Sequence, residues 1–534
     1  MISTIDSIII IVYILSMLGI GYYVGKDNES QEDYFLANRS MPWFAIALSV
    51  AATMISANAF IGGPGWAYGS GMAPFMVNIT VPFAIFFAMY VTAPVFYQLK
   101  VTSVYQYMEY RLGPISRMLT VIQFFVNSLI QISSMVFIPS LILQAMTGWP
   151  LQVIVPLVVL AAIIYTILGG IKAVIWTDVA QTFVIWGGLF FAIFVALDKL
   201  DMGFFETLGA AKEAGKFAML DFELSITKTN AFWASLLGGA VMWTRYFCFD
   251  QAQMQRVLTA KSMKGVKSSY LSSAVIMNVM YFLMLGVGLI LFVFYEGKEF
   301  ETSNQIMIGF ILENLPVGII GLVVSGAFAA AMSSVDSLIN SMTTVFVKDV
   351  YERYFFKGEG ETSLKLTLKI SAAIGLLVIV VVLFGFSGTV KSVLDVVGKY
   401  ISYFSGPAFA SFVLAMFTAK ANDKGVATGF IIGVPAVFWI AKILGTSWLW
   451  NPLIGFLIAF VVGYLASSVF KSAKNVEEYK EFTAKGMREK MLSNGMPTKE
   501  EGVSVLPFSL DKYAIAALVF FLAQYIFIAI IQYS

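Results

Sequence analysis

Histidine is absent from this chain of 534 residues, and cysteine occurs once, as Cys248. The first absence excludes a histidine proton relay and any zinc site with imidazole ligands. The second excludes an internal disulfide and a cysteine-built metal centre. Charge is scarce as well. Only 12% of residues are Asp, Glu, Lys or Arg, against about 25% in soluble domains. The net charge of +2 gives no sign of a polyanionic partner such as nucleic acid. No basic segment precedes the first apolar run; Asp6 stands before it and Lys26 after it. That asymmetry reads as a retained helix with its N-terminus outside, not as a cleaved signal peptide.

What the chain does have is apolar surface. Hydrophobic residues make up 59% of it, gathered in runs of about 20, the length a helix needs to cross about 30 Å of hydrocarbon. Polar breaks divide the sequence into about 14 such runs, near 4–25, 42–62, 74–97, 118–146, 151–168, 173–196, 230–249, 271–295, 316–346, 366–386, 392–418, 425–443, 449–469 and 512–531. With the N-terminus outside, the inner loops and the span ends bordering them carry 25 of the 34 Lys and Arg. The outer side carries 6, and Arg245, Lys399 and Lys442 fall within spans. A miscounted helix scrambles such a bias, so the positive-inside pattern supports this topology. The sequence therefore predicts an all-α polytopic membrane protein, integral to a plasma (bacterial inner) membrane. Its surroundings are the lipid bilayer, and no obligatory protein partner is evident. The loop at 470–511 mixes Lys and Glu and reads as a solvated cytoplasmic helix or tether; the loop at 199–229 reads as a small external cap.

Setting the first helix aside, the next ten divide into two sets of five, and the leading helix of each carries interruptions. In the first, Ser49, Thr53, Ser56 and Asn58 break the apolar run, and Gly62-Gly63-Pro64-Gly65 ends it. In the second, Gly238-Gly239 sits inside the helix and Thr244-Arg245 beyond. Matched interrupted helices in two halves are the sequence mark of transporters that bind solute and ion at mid-membrane; ordinary small-residue helix packing is the alternative.

The strongest chemical pattern is GAFAAAMSSVDSLINS at 326–341. Ser333, Asp336 and Ser337 recur at i, i+3 and i+4, so their oxygens share one helix face. The alanines before them, Ala329 to Ala331, let another backbone approach. A hard cation such as Na⁺ takes several oxygens, from hydroxyls, carbonyls and carboxylates. Carbonyls freed where the 42–62 helix loosens, near Ala52 and Ile55, supply the remainder. Asp178 adds a second carboxylate within a membrane helix, where acids are costly and mark function. The alternative is that Asp178 or Asp336 is merely neutralised by Arg245 or Lys399.

Five motifs in order, YFLANRSMPW, AATMISANAFIGG, GGIKAVIWTDV, FDQAQMQRVLTAKS and AAAMSSVDSLINS, make residues 5–470 resemble the solute:sodium symporter family. That family includes the sodium–glucose, sodium–sialic acid, iodide and proline transporters. The resemblance implies a LeuT-like core of 5+5 inverted repeats and Na⁺-driven symport by alternating access, not enzyme chemistry. It divides the chain into an extra N-terminal helix and loop (1–41), a first repeat (42–198), the external loop (199–229), a second repeat (230–420) and C-terminal helices (421–534).

It also implies a main sodium site of the Ala52, Ile55 and Ala330 carbonyls with the Ser333 and Ser334 hydroxyls. A second sodium site, present in some members, draws on Asp178, Ser333, Asp336 and Ser337, although those members usually carry a hydroxyl residue where this chain has Asp336. Tyr246 aligns with an inner aromatic gate. Thr53, Ser56, Asn78, Gln131 and Lys399 align with positions lining the solute cavity. Sialic acid carriers place an Arg where this chain has Gln131, and sugar carriers an amide where it has Lys399. Lys399 could hold an anionic solute, or neutralise Asp395 or Asp336; Arg245 could assist or merely snorkel to headgroups. A sugar, a sugar acid or a small monocarboxylate all remain open as the solute. Of the other classes, a channel needs a continuous polar pore, whereas these polar groups cluster between apolar flanks; a membrane sensor needs an attached signalling domain.

Overall fold

The computed structural model describes residues 3–26, 28–358, 360–385, 393–470 and 476–533. Among the described residues it is built from helices joined by loops, with one antiparallel pairing of Lys499–Glu500 with Val503–Ser504 and an isolated parallel bridge between Met41 and Ala260. Among the described residues, 11 helices are long and apolar enough to cross a membrane, or 12 when a bent pair is counted as one span. The expected limits at 386 and 392 lie outside the described residues.

The bent pair is the helix at Trp43–Met54 followed by the one at Ala57–Ser70, turned by 57° at the break between them. Local chemistry explains the break. Thr53 Oγ1 donates back to the Ser49 carbonyl at 2.9 Å, a bond that loosens a helix. Ile55 then leaves helical geometry at φ −91°, ψ 73°, and Ser56 is fully extended at ψ 164°. The predicted interruption in the first set is present.

The second set differs from expectation. Gly238 and Gly239 both keep helical angles. Instead of a break, the chain makes one wide π turn over Ala234–Gly238, and the helix stops only at Asp250, which is extended (ψ 129°). The glycines serve close packing: a Cβ on Gly238 would sit 1.7 Å from the Leu449 carbonyl oxygen, and one on Gly239 3.0 Å from Thr80 Oγ1.

The segment Leu151–Leu200 is two helices that meet at Gly170, whose backbone is not helical (φ 55°, ψ −151°). Essentially only glycine adopts that conformation, and a Cβ there would also meet the Tyr34 carbonyl oxygen at 2.6 Å. Position in the bundle follows composition. Ile319–Tyr354, with its alanines and serines, is 83% buried over its most apolar window and lies at the centre. Lys512–Tyr533, at 22%, lies at the rim, with Val519, Leu522 and Ile526 turned outward as lipid contact requires.

The two long loops dock onto the bundle. Lys216 Nζ reaches the Tyr68 carbonyl at 2.9 Å, and its own carbonyl receives the Met72 amide at 2.7 Å, so the 199–229 segment covers the end of the Ala57–Ser70 helix. On the opposite face, Tyr107 donates to the Phe482 carbonyl at 2.9 Å. Glu500 there accepts the Met263 amide at 3.1 Å.

Candidate functional site

The helix break and the serine-rich helix meet. Ser334 Oγ lies 3.2 Å from both the Thr53 carbonyl and the Ala330 carbonyl, which ties the Trp43–Met54 helix to the Ile319–Val345 helix. At the break, the Ile55 amide turns back onto the Ala52 carbonyl at 3.0 Å. Among the described residues, no hydrogen bond ends on the Met54 or Ile55 carbonyls. Ser333 Oγ is also buried, with the Asp178 carboxylate as its side-chain neighbour. Ala52, Ala330, Ser333 and Ser334 are completely buried and Ile55 is 2% exposed. Buried oxygens without hydrogen-bond donors are costly unless something else satisfies them.

The expected quartet of Asp178, Ser333, Asp336 and Ser337 has an additional member. Arg256 places its guanidinium against the Ser337 hydroxyl and 3.5 Å from Asp178. Its Nε donates to Ser49 Oγ at 2.8 Å, and Ser49 in turn donates to Asp178 Oδ2 at 2.5 Å. Asp178 also faces the Ser333 hydroxyl. Asp336 accepts from the Tyr165 hydroxyl at 2.6 Å and lies 3.0 Å from Ser337 Oγ. The cation beside Asp178 is thus Arg256, not Arg245 or Lys399. The reason is the chain reversal at Asp250, which starts the Gln251–Val257 helix with an Asp cap on Ala252 and carries Arg256 into the bundle. Arg245 stays at the reversal and pairs with Asp250 at 3.2 Å.

Above this cluster lies a cavity of about 750 Å³ lined by Thr53, Ser56, Asn78, Gln131, Arg245 and Tyr246, together with Trp66, Trp243, Tyr281 and Trp448. Six of the seven residues expected to face solute or gate it do line this space. The Tyr246 hydroxyl accepts a bond from Gln253 Nε2 at 2.7 Å, which fixes the ring. The cavity extends to Ser70, Thr229 and Ser303, on the loop side of the bundle where 199–229 docks.

Lys399 is the exception. Its side chain is exposed and does not line the cavity, while Gly398, Ile401 and Ser405 do. Helical phase is the cause: 398, 401 and 405 share one face, and 399 is turned about 100° from 398. The partners of Asp336 are Tyr165 and Ser337, so Lys399 does not neutralise it; the Asp395 side chain is outside those described. Sequence reasoning gave no role to Arg256 or Tyr165. An arginine in an otherwise uncharged stretch, QAQMQRVL, was the available signal for the first; nothing local marked the second.

Comparison with known proteins agrees with this architecture. The chain matches the sodium:solute symporter family over residues 34–433. It is 27% identical to the sodium/sialic acid symporter NanT of Aliivibrio fischeri over 499 residues, 90% of this chain and 96% of that one. It is also 27% identical to the sodium/glucose cotransporter of Vibrio parahaemolyticus, covering 82% of this chain and 85% of that one. Its fold superposes on a Na⁺-coupled sialic acid symporter in a substrate-bound outward-open state with a TM-score of 0.79, at 27% identity, covering 88% of this chain and 99% of that one. A multi-pass bundle, a broken helix joined to a buried serine face and a family match over most of the chain converge: the protein belongs to the sodium:solute symporter family, a transporter and not an enzyme, and it moves a small polar solute together with sodium.

Proposed function

We propose that the sodium ion driving transport is held by the carbonyls of Ala52, Ile55 and Ala330 and the hydroxyls of Ser333 and Ser334. The observation that carries this reading is the Ser334 hydroxyl, 3.2 Å from the Thr53 carbonyl on one helix and from the Ala330 carbonyl on its own, beside the buried Ser333 hydroxyl and an Ile55 carbonyl that receives no backbone hydrogen bond among the described residues. These are neutral hard oxygens, the donor type that a small alkali cation selects. A sodium titration of thermal stability tests it. Ser333→Ala is expected to shift the midpoint to higher Na⁺, and an unchanged midpoint removes Ser333 from the site.

A second cation is favoured by the grouping of two acids. Asp178 and Asp336 are two fully buried carboxyl groups beside the single guanidinium of Arg256, so a further sodium ion, or a proton on Asp336, completes the cluster. Asp178 and Ser333, which face one another, give a second sodium ion its oxygens, with Asp336 beside them and Ser337 shared with Arg256.

The chain crosses the plasma membrane, the inner membrane of a bacterium, 14 times, with its N-terminus outside. Two features support more crossings than the 12 long apolar spans. The two helices within Leu151–Leu200 together amount to about 75 Å of helix at about 1.5 Å per residue, more than twice the hydrocarbon thickness of about 30 Å, so the break at Gly170 divides two crossings. The run ending in Gly239–Phe249 is short but completes a crossing with its π turn. The core is an inverted pair, 42–198 and 230–420, flanked by 1–41 and 421–534. Solute binds in the cavity, with Thr53, Ser56, Asn78, Gln131 and Arg245 around it and Tyr246 closing its inner end.

A further inference from the structure

The short helix Gln251–Val257, which follows the reversal at Asp250, has every residue buried. Glutamines recur along it at 251, 253 and 255, all closed to solvent, and each binds a different neighbour. Gln251 accepts the Val104 amide at 2.9 Å and donates to the Thr102 carbonyl at 2.8 Å. Gln253 donates to the Tyr246 hydroxyl at 2.7 Å. Gln255 Nε2 lies 2.8 Å from the Phe35 carbonyl and 2.9 Å from both Asn340 Oδ1 and Thr344 Oγ1. Val104 begins the helix that carries Tyr107, on the face opposite the 199–229 segment. The short helix therefore stands between that face and the cavity, beyond Tyr246.

Its far end is tied to the helix that breaks at Ile55. Arg39 donates to the Leu258 carbonyl at 3.2 Å and the Met41 amide to the Thr259 carbonyl at 3.1 Å, just before the Trp43–Met54 helix begins. These two helices thus form one unit. Asn340 and Thr344 belong to the Ile319–Val345 helix, where Ser333, Ser337, Asn340 and Thr344 follow at helical spacing on one face. That face runs from the serine cluster past Arg256, which meets Ser337, to Gln255. So Gln255 fastens together the same two units that the sodium oxygens bridge, one residue from the arginine of the ion cluster.

The fastening carries no charge and is incompletely satisfied. Thr344 donates its own proton to the Asn340 carbonyl at 2.9 Å, so it accepts from Gln255. The two protons of Gln255 Nε2 serve three acceptors, while Asn340 Nδ2 is buried without a partner among the described residues. Neutral bonds have modest net value, and a leftover buried donor lowers it further. Such a contact can break and re-form in each transport cycle, which a fully satisfied buried network resists.

We propose that Gln255 is a positioning residue that latches the inner end of the transport path. Through Asn340 and Thr344 it closes the Trp43–Met54 and Gln251–Val257 unit onto the serine-bearing helix, so that sodium binding and inner closure favour one another. Gln255 touches neither solute nor ion. Its coupling to sodium rests on the sodium site proposed above; closure rests on its own hydrogen bonds.

Hydrogen–deuterium exchange on the full-length protein, in choline and in Na⁺, tests the latch with Gln255→Leu, Thr344→Val and Thr344→Ser beside the parent. In choline, the amides of 251–257 are expected to exchange about ten-fold faster in Gln255→Leu and about three-fold faster in Thr344→Val, with those of 451–469 unchanged. Because only the closed form holds sodium well, the Na⁺ midpoint of thermal stability is expected to rise about three- to ten-fold in both. Thr344→Ser keeps the hydroxyl and is expected to match the parent. Unchanged exchange at 251–257 in both variants overturns the latch. So does an equal rise at 451–469, which marks general loosening, or a local rise that leaves the Na⁺ midpoint of a sodium-stabilised protein unmoved. If Gln255→Leu does not fold, Thr344→Val decides alone. A parent that Na⁺ does not stabilise contradicts the sodium site instead, and exchange in choline still decides the latch.

Discussion

Arg256 and Asp178 face one another across 3.5 Å inside the helix bundle, with both side chains closed to solvent. Ser49 completes the link by bonding to each. The pair anchors the short helix after the Asp250 reversal to the long helix that carries Asp178, next to the serine face.

Removing one partner of a buried ion pair leaves the other charge uncompensated, at a cost of about 3–5 kcal/mol. Arg256→Gln is expected to destabilise the protein by that order, measured by thermal or urea unfolding in detergent. Asp178→Asn in the same background is expected to recover part of the loss. If the double variant is as unstable as the sum of both single losses, the two residues are not coupled.

Ser334 has a different role, because it touches both helices. Ser334→Ala deletes one hydroxyl worth about 1–2 kcal/mol, so the Na⁺ concentration for half-maximal uptake is expected to rise roughly 5- to 30-fold. Ser334→Thr retains the oxygen and is expected to stay near the parent value. Unchanged sodium dependence in the alanine variant removes Ser334 from the site.

Lys399 gives the opposite prediction. Its side chain is exposed and off the cavity face, and exposed substitutions change energies by about 0.5 kcal/mol or less. Lys399→Gln is expected to leave solute uptake within about two-fold of the parent. Selective loss of uptake in this variant would show that Lys399 reaches the solute after all.

Gly170 tests the kinked segment. Its backbone, at φ 55° and ψ −151°, costs any other residue about 1–3 kcal/mol, and Tyr34 blocks the space for a Cβ. Gly170→Ala is therefore expected to lower the unfolding temperature, whereas Gly187→Ala, with nothing within 4 Å of its Cβ, is not.

These positions also mark how far the sequence could be read. Ser49, Thr53 and Ser56 announced the broken helix, because hydroxyls within an apolar run compete for backbone bonds. Ser333, Asp336 and Ser337 announced the oxygen face through their spacing. Gly238-Gly239 misled, since a glycine pair reads as a break whether it loosens a helix or admits a neighbour such as Leu449. Arg256 was invisible for a related reason: its partner is 78 positions away, and only the reversal at Asp250 brings them together. Lys399 failed on phase, because one residue of error on a helix turns a side chain from cavity to surface. Tyr165 needed the assembled bundle, as its value lies in the Asp336 oxygen it satisfies.

The central claim is that the broken helix and the serine face hold the sodium that drives solute entry. Purified protein in proteoliposomes, given an inward Na⁺ gradient or an equal gradient of choline, measures this directly. The account predicts saturable accumulation of a small polar solute in sodium only, at least ten-fold above choline, and collapse of that ratio in Ser333→Ala. Accumulation equal in the two gradients would contradict it.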